Sequence, residues 1–118
     1  MISCKLKNQT TVELDMNGDV TANDYRTVEP QLLKYFSDKG RMKFLIVLKG
    51  LKTFSLGAAY EDIKFDLQNL KNVGTTAIVG DKKTQELLSK FIDKVFPAKV
   101  KYFEDTSDAM NWLKENPA

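Results

Sequence analysis

An uninterrupted run of apolar residues at positions 44–48, followed by Lys49, dominates the middle of the chain. A run without polar alternation is typical of a strand covered on both faces, as in a parallel sheet. Gly50 ends this strand, residues 51–56 are expected to form a loop, and Gly57 begins a helical pattern. Because ligands of open α/β sheets bind where a strand ends and the next helix begins, we expect any functional site there.

The N-terminal residues have the pattern of a β-hairpin. Residues 2–7 and 11–17 are predicted strands, and the turn formers Asn8-Gln9-Thr10 connect them. In the second strand apolar and polar residues alternate, with Val12, Leu14 and Met16 against Thr11, Glu13 and Asp15. This alternation predicts that one face of the second strand is exposed to water.

The first helix is predicted from its capping signals. Thr21 and Asp24 have the spacing of a capping box, and Gly40 suits a left-handed cap at the end of the helix. Pro30 lies inside the helical pattern, so we expect a kink, or a short helical turn followed by a second helix. Phe65, which lies off the apolar stripe of the second helix, is expected to be exposed or to contact the first helix.

Three further helices and two short strands complete the chain. The second helix is predicted from Ala59, Ile63, Leu67 and Leu70, and the third from Leu88, Phe91, Ile92 and Val95. Asp81 is the expected cap of the third helix and Pro97 its end, whereas Thr106 or Ser107 is expected to cap the fourth. Ala109, Trp112 and Leu113 are expected to dock that last helix. Residues 75–79 and 99–103 have strand patterns.

The resulting element order, β-β-α-β-α-β-α-β-α, predicts an α/β fold. Crossovers between parallel strands are almost always right-handed, so strands two to five in chain order place their connecting helices on one face. We therefore expect a β-α superhelix with a five-stranded mixed sheet, four helices and an antiparallel edge strand. The other face must be covered by the last helix, a partner subunit or a ligand.

Composition limits the classes of function. A chain of 118 residues is expected to form one domain, residues 1–118, and the 42% hydrophobic and 29% charged shares are ordinary. The net charge of +2 gives no reason to expect a nucleic-acid partner. No apolar run reaches the roughly 18 residues of a membrane span, and the single cysteine fits a cytoplasmic protein.

The chain contains no histidine. This excludes Ser-His-Asp and Cys-His catalysis and every histidine-ligated metal site. With only Cys4 as a thiol, a zinc or iron–sulfur site is not expected either. We therefore expect no enzyme activity, no cofactor and no metal.

Several further segments follow one another along the chain: residues 17–25, Pro30, the central strand, residues 54–65, 77–81, 100–103 and 109–113. In this order they resemble the SpoIIAA-like proteins, a group related to STAS and CRAL-TRIO domains. The resemblance implies the SpoIIAA-like fold, and lipid or membrane association by analogy with CRAL-TRIO domains. It also implies a regulatory role through protein interaction, as in the STAS proteins that act as anti-anti-sigma factors.

The phosphorylation motif of those regulators is not matched. They carry an Asp-Ser-Ser-Gly-like motif at the start of the second helix, where this chain has Thr53-Phe54-Ser55-Leu56-Gly57. Ser55 is the only serine in that stretch, and no aspartate precedes it. A hydroxyl before a helix is more often a cap than a nucleophile, so we expect Ser55 to cap the second helix.

The expected site is the apolar segment between the central strand and the second helix. Its large apolar residues either fold back onto the core or contact an acyl chain, a bilayer surface or a second copy of the chain. We expect a non-enzymatic binding protein for a lipid-like molecule or a membrane surface, with a STAS-type protein-interaction module as the alternative. Its location is then cytoplasmic or peripheral at the membrane. The expected site residues are Leu51, Phe54, Ser55, Leu56, Gly57, Tyr60, Lys64 and Phe65.

Overall fold

The computed structural model describes residues 1–69, 71–96 and 99–118. The strands are β1 (Ile2–Leu6), β2 (Thr11–Met16), β3 (Gly18–Thr21), β4 (Met42–Val47), β5 (Leu51–Ser55), β6 (Val73–Val79) and β7 (Val100–Phe103). The helices are α1 (Ala22–Lys39), α2 (Tyr60–Asn69), α3 (Lys82–Val95) and α4 (Thr106–Glu115), and a 3-10 turn (Gly57–Ala59) precedes α2. Two sequence predictions, on Leu70 and Pro97, fall outside the described residues.

Five strands form the main sheet in the order β1-β2-β4-β6-β7. β1 pairs antiparallel with β2, and the other neighbours pair in parallel. The predicted α/β fold, with a five-stranded mixed sheet and four helices, is therefore confirmed. β6 is buried at every position, as a strand covered on both faces requires.

Helices α1, α2 and α3 share one face of the sheet. Each contributes a buried apolar stripe to one continuous core, which includes Leu32 of α1, Ile63 of α2 and Leu88 of α3. The strands supply the facing side chains from alternate positions, such as Phe44 and Ile46 of β4. The predicted placement of the connecting helices on one face is thus confirmed.

The last helix covers part of the opposite face. Ala109 and Leu113 of α4 pack against Leu45 and side chains of β6, and Trp112 packs on Phe103 with ring centroids 5.6 Å apart. α4 contacts β4, β6 and β7. Of the three candidate covers, the last helix is therefore the one that the structure contains.

The helix ends agree with most of the capping predictions. The Thr21 backbone N–H donates to the Asp24 carboxylate at 2.8 Å, and Asp81 accepts from the Thr84 backbone N–H at 2.8 Å. Gly40 has φ 76°, which favours glycine. The cap of α4, however, is Asp105 rather than Thr106 or Ser107. Its carboxylate accepts from backbone N–H groups in the first turn, which a hydroxyl one residue later could not reach.

Helix α1 continues without interruption from residue 22 to residue 39. The alternative of two separate helices at Pro30 is therefore wrong. Pro30 is exposed, so the backbone carbonyl that loses its hydrogen-bond donor lies on a side that water can reach. Val28 and Leu32, on either side of the proline, remain buried in the core.

The polar face of β2 is not exposed as the alternation predicted. Thr11 and Glu13 are buried, with exposed fractions of 1% and 6%. The Glu13 carboxylate forms ion pairs with the ammonium groups of Lys5 and Lys7, with N–O distances of 3.3 and 3.7 Å. Both lysines lie on the neighbouring N-terminal segment. Periodicity alone does not reveal that long lysine side chains fold across a neighbouring strand.

Asp15 lies beside Glu13 on the same face of β2, and their titrations are opposed. Burial, the hydrogen bond to Glu13 and the negative charge of Glu13 raise the pKa of Asp15 above its ordinary value. For Glu13, burial opposes ionisation, but the hydrogen bond to Asp15 and the ammonium groups of Lys5 and Lys7 lower the pKa. The surroundings of Asp15 therefore favour its protonated form, whereas those of Glu13 favour the carboxylate.

Asp15→Asn is expected to raise the thermal midpoint at pH 7. A raised folded-state pKa means that ionisation of Asp15 costs stability above the unfolded pKa of about 3.9, and the amide removes that cost while still donating to Glu13. At pH 3 the carboxyl is protonated in both states, so the two proteins should then melt closer together. Thermal melts at the two pH values measure this; a lower midpoint at pH 7 would contradict the raised pKa of Asp15.

Candidate functional site

Residues 51–55 form a strand rather than the predicted loop. β5 pairs in parallel with β3 in a separate two-stranded sheet, with Asp19 opposite Thr53 and Thr21 opposite Ser55. The Thr53 hydroxyl donates to the Asp19 carboxylate at 2.6 Å across this pair. We call this two-stranded sheet the β3–β5 ribbon. It lies directly before the 3-10 turn that leads into α2.

The apolar residues of the expected site divide between the core and the surface. Leu51 and Leu56 have exposed fractions of 6% and 8%, so both fold back onto the core. Phe54 is half-buried between them. The segment was expected either to fold back onto the core or to contact a ligand, a bilayer or a second copy of the chain. The two leucines fold back onto the core.

The polar and flexible positions have simple structural roles. Ser55 is exposed at the end of β5, and no side-chain cap is found at the 3-10 turn, where Leu56 occupies the cap position. The prediction that Ser55 caps the helix is therefore wrong. Gly57 has φ 55°, which glycine adopts without strain as the chain turns from β5 into the 3-10 turn.

Two aromatic residues of the expected site meet a third on α3. The ring of Phe54 lies 5.3 Å from that of Phe91, and the ring of Tyr60 lies 5.7 Å from it. These separations are in the range of favourable aromatic pairs. Phe91, a predicted core residue of α3, thus joins the end of β5 to the start of α2.

An open groove lies between this segment and α3. It has a volume of about 400 Å³. We call it the β5–α3 groove, and its lining residues are Phe54, Leu56, Gly57, Tyr60, Leu87, Lys90, Phe91 and Lys94. Four expected site residues thus come together with four residues of α3.

The sequence analysis missed Leu87, Lys90 and Lys94 as site residues. Leu87 lies next to the buried stripe of α3 and is 38% exposed, so an apolar residue off the stripe was the available signal. The two lysines are spaced i, i+4 and share a helix face. Scattered lysines are common on surfaces, and only the fold brings these two to a groove.

Lys64 and Phe65 do not line the β5–α3 groove. Both lie on α2, where Lys64 is half-exposed and Phe65 is 67% exposed. The structure therefore brings Phe54, Leu56, Gly57 and Tyr60 of the expected site together and leaves these two residues apart. Phe65 is exposed, which is one of the two outcomes expected for it.

A small apolar cavity lies deeper, between the sheet and helices α1 to α3. Its volume is about 40 Å³, and Phe54, Leu56 and Phe91 separate it from the β5–α3 groove by lining both. Tyr25 is among the lining residues, but the surface of the cavity is entirely apolar, so the Tyr25 hydroxyl does not face it. That hydroxyl is buried beside the Glu29 carboxylate and makes no hydrogen bond of normal geometry among the described residues. Burial and the nearby Glu29 carboxylate raise the pKa of Tyr25, so the phenol stays protonated.

Metal and thiol chemistry have little support in the described parts of the chain. No group of three or more His, Cys, Asp or Glu side chains is placed there to hold a metal ion. Burial raises the pKa of the Cys4 thiol to about 11, so the reactive thiolate is scarce at neutral pH. Among residues 1–69, 71–96 and 99–118, no helix is long and apolar enough to cross a membrane.

The fold and this site can be compared with known proteins. The family model described as SpoIIAA-like matches residues 11–114. The chain therefore belongs to the SpoIIAA-like family. No curated protein matches it.

Solved structures with the same fold cover almost the whole chain. An uncharacterised protein of Shewanella loihica PV-4 with a SpoIIAA-like fold is 29% identical, with a TM-score of 0.70; the match covers 96% of this chain and 92% of that one. The unphosphorylated anti-sigma factor antagonist SpoIIAA has a TM-score of 0.66 at 8% identity, covering 98% and 100%. Phosphorylated SpoIIAA, a Bacillus cell fate determinant, has 0.59 at 6% identity, covering 96% and 99%.

Proposed function

We propose that this protein is a non-enzymatic regulatory module that binds another protein through the β5–α3 groove. The observation that carries the proposal is an open groove in which aromatic and aliphatic side chains reach the surface, rimmed by two lysines. Interfaces are commonly centred on such aromatic and aliphatic anchors and surrounded by polar residues. The family supports this class, because an anti-sigma factor antagonist with the same fold acts on another protein.

The role proposed here does not need phosphorylation at the position of the STAS motif. Ser55 is exposed but has Phe54 and Leu56 as neighbours instead of the acidic and hydroxyl residues of that motif. Binding is therefore proposed to depend on the groove itself. The partner contacts Leu87 on one wall and Tyr60 on the other, with Phe91 between them.

Leu87→Asp is expected to weaken partner binding about tenfold or more, because it places a charge among the apolar anchors of the groove. The measurement is quantitative affinity enrichment from cells that naturally express the protein, comparing wild type with the variant. Leu33→Asp is the matched control: Leu33 is 48% exposed on α1 and does not line the groove. Equal recovery of every enriched protein by Leu87→Asp and wild type would refute the proposal.

A second candidate function is binding of an apolar small molecule, such as a lipid, in the deeper cavity. It is favoured by the wholly apolar lining of that cavity. At about 40 Å³, the cavity is smaller than the roughly 150 Å³ that admits benzene. An acyl chain therefore needs the walls to move apart, and this candidate ranks second. Of the expected site residues, Phe54 and Leu56 line this cavity and are proposed to contact its ligand. The others, Leu51, Ser55, Gly57, Tyr60, Lys64 and Phe65, do not line it.

Native mass spectrometry with solvent extraction tests the second candidate. A co-purified fatty acid or phospholipid would support it. An empty monomer would contradict the candidate, and an empty dimer would shift the proposed partner to a second copy of this chain.

A further inference from the structure

The two walls of the β5–α3 groove differ in charge. The wall formed by residues 54–60 contributes apolar side chains and Gly57, without a charged residue. The α3 wall contributes Leu87, Lys90, Phe91 and Lys94, spaced i, i+3, i+4 and i+7, which places all of them on one face of the helix. The groove thus has an apolar floor and a positively charged rim along one side only.

The charged residues that line the groove are both lysines. Lys90 and Lys94 are exposed, and none of the ion pairs among the described residues involves Lys90. Acidic residues of α3 are present, but Glu86 and Asp93 do not line the groove. Asp93 instead accepts a hydrogen bond from Tyr102 at 3.4 Å, on another side of the helix. The potential inside the groove is therefore positive, and its complement is negative.

The shape of the site favours an inserted segment over a flat surface. Its open volume of about 400 Å³ lies between two walls, and the aromatic residues of these walls are more buried than the lysines. A bilayer surface is contacted by apolar side chains that protrude from the protein, as on an interfacial amphipathic helix. A peptide segment, in contrast, can insert large apolar side chains between the two walls and place carboxylates beside the rim.

We infer that the β5–α3 groove binds an acidic segment of a partner protein in which carboxylates flank large apolar side chains. The apolar side chains pack on Phe54 and Phe91, and the carboxylates pair with Lys90 and Lys94. This inference rests on the proposed function, since it specifies the partner of the same groove. Two lysines one helical turn apart match two carboxylates with a similar spacing.

A displayed library of 16-residue peptides with equal acidic and basic content tests the inference. The wild-type protein is expected to enrich peptides in which Asp or Glu flanks Leu, Phe or Trp. Lys90→Glu combined with Lys94→Glu should weaken the enriched peptides at least tenfold and change the preference to basic sequences. Lys34→Glu with Lys39→Glu is the control, because it makes the same change in net charge at exposed positions of α1.

The outcomes separate this inference from the proposed function. Apolar peptides that need Leu87 but show no acidic preference would overturn the inference and leave the groove as a protein-binding site. If no peptide is enriched in a way that depends on Leu87, both the inference and the proposed function are wrong. Vesicles containing one part phosphatidylserine to two parts phosphatidylcholine form the last arm. If these vesicles bind wild type but not the variant with both lysine substitutions, and no peptide is enriched, the groove contacts anionic membranes and the inference is wrong.

Discussion

Leu88→Ala is expected to lower the free energy of unfolding by about 3 to 5 kcal/mol, whereas Leu87→Ala should lower it by less than about 1 kcal/mol. Leu88 is completely buried in the core between α3 and the sheet, and its removal leaves a cavity among well-packed side chains. Leu87 is 38% exposed and can be replaced by alanine with little loss of buried surface. Both changes are chemically identical and occur next to each other in α3.

Urea denaturation of the two variants and wild type measures this difference. Because the helix propensity change is the same at both positions, the gap between the variants reports burial alone. The total free energy of unfolding of a typical small protein is only about 5 to 15 kcal/mol, so Leu88→Ala removes a large share of it. Two variants with similar midpoints would mean that Leu88 is not in the core or that Leu87 is not at the surface.

Gly80→Ala is expected to cost about 1 to 3 kcal/mol, because the site has no room for a methyl group. A Cβ atom at Gly80 would lie 2.5 Å from the Thr84 hydroxyl oxygen and 3.0 Å from Cβ of Leu48. Thr84 is buried, and its hydroxyl donates to the Asp81 backbone carbonyl at 3.0 Å, so it cannot swing aside without losing that bond. Denaturation midpoints of wild type and Gly80→Ala give the cost.

A double-mutant cycle with Thr84→Ala identifies the cause. The threonine hydroxyl oxygen is the atom closest to the new methyl group, and Thr84→Ala removes it. Gly80→Ala should therefore cost less in the Thr84→Ala background than in wild type. Strictly additive costs would show that the clash with Thr84 is not the source of the destabilisation.

The core strands could be predicted because a strand covered on both faces consists of consecutive buried residues. Val73–Val79 is buried at every position, and the apolar run at 44–48 likewise belongs to a strand covered on both faces. Helix α3 was predictable from its stripe for a similar reason, since burial on one side imposes a period near 3.6. Sequence and structure therefore agree for elements whose local pattern of apolar residues corresponds to a single packing environment.

The β3–β5 ribbon could not be predicted from local patterns. β3 contains Gly18 and follows Asn17, which together indicate a turn, and β5 is exposed at three of its five positions. Each strand exists because the other lies beside it, although more than thirty residues separate Asp19 from Thr53. Such pairing depends on where α1 and β4 return the chain, and no window of sequence contains that information.

The candidate site was half predictable. The residues from Phe54 to Tyr60 follow a buried strand and precede a helix, which is a position that the fold class favours for sites. The opposite wall comes from α3, whose surface residues have no marked pattern of their own. Leu51 shows a further limit of the sequence: an apolar residue after Gly50 fits either a functional surface or the core, and only the fold shows that it is buried.

The ribbon also sets where the molecule opens most easily. A two-stranded pair is only marginally stable alone, while the five-stranded sheet is held by core packing on one face and by α4 over much of the other. Local opening therefore costs less free energy in β3 and β5 than in β4 and β6, and backbone amides of the ribbon exchange with solvent earlier. One wall of the β5–α3 groove thus belongs to the part of the fold that can move without unfolding the rest.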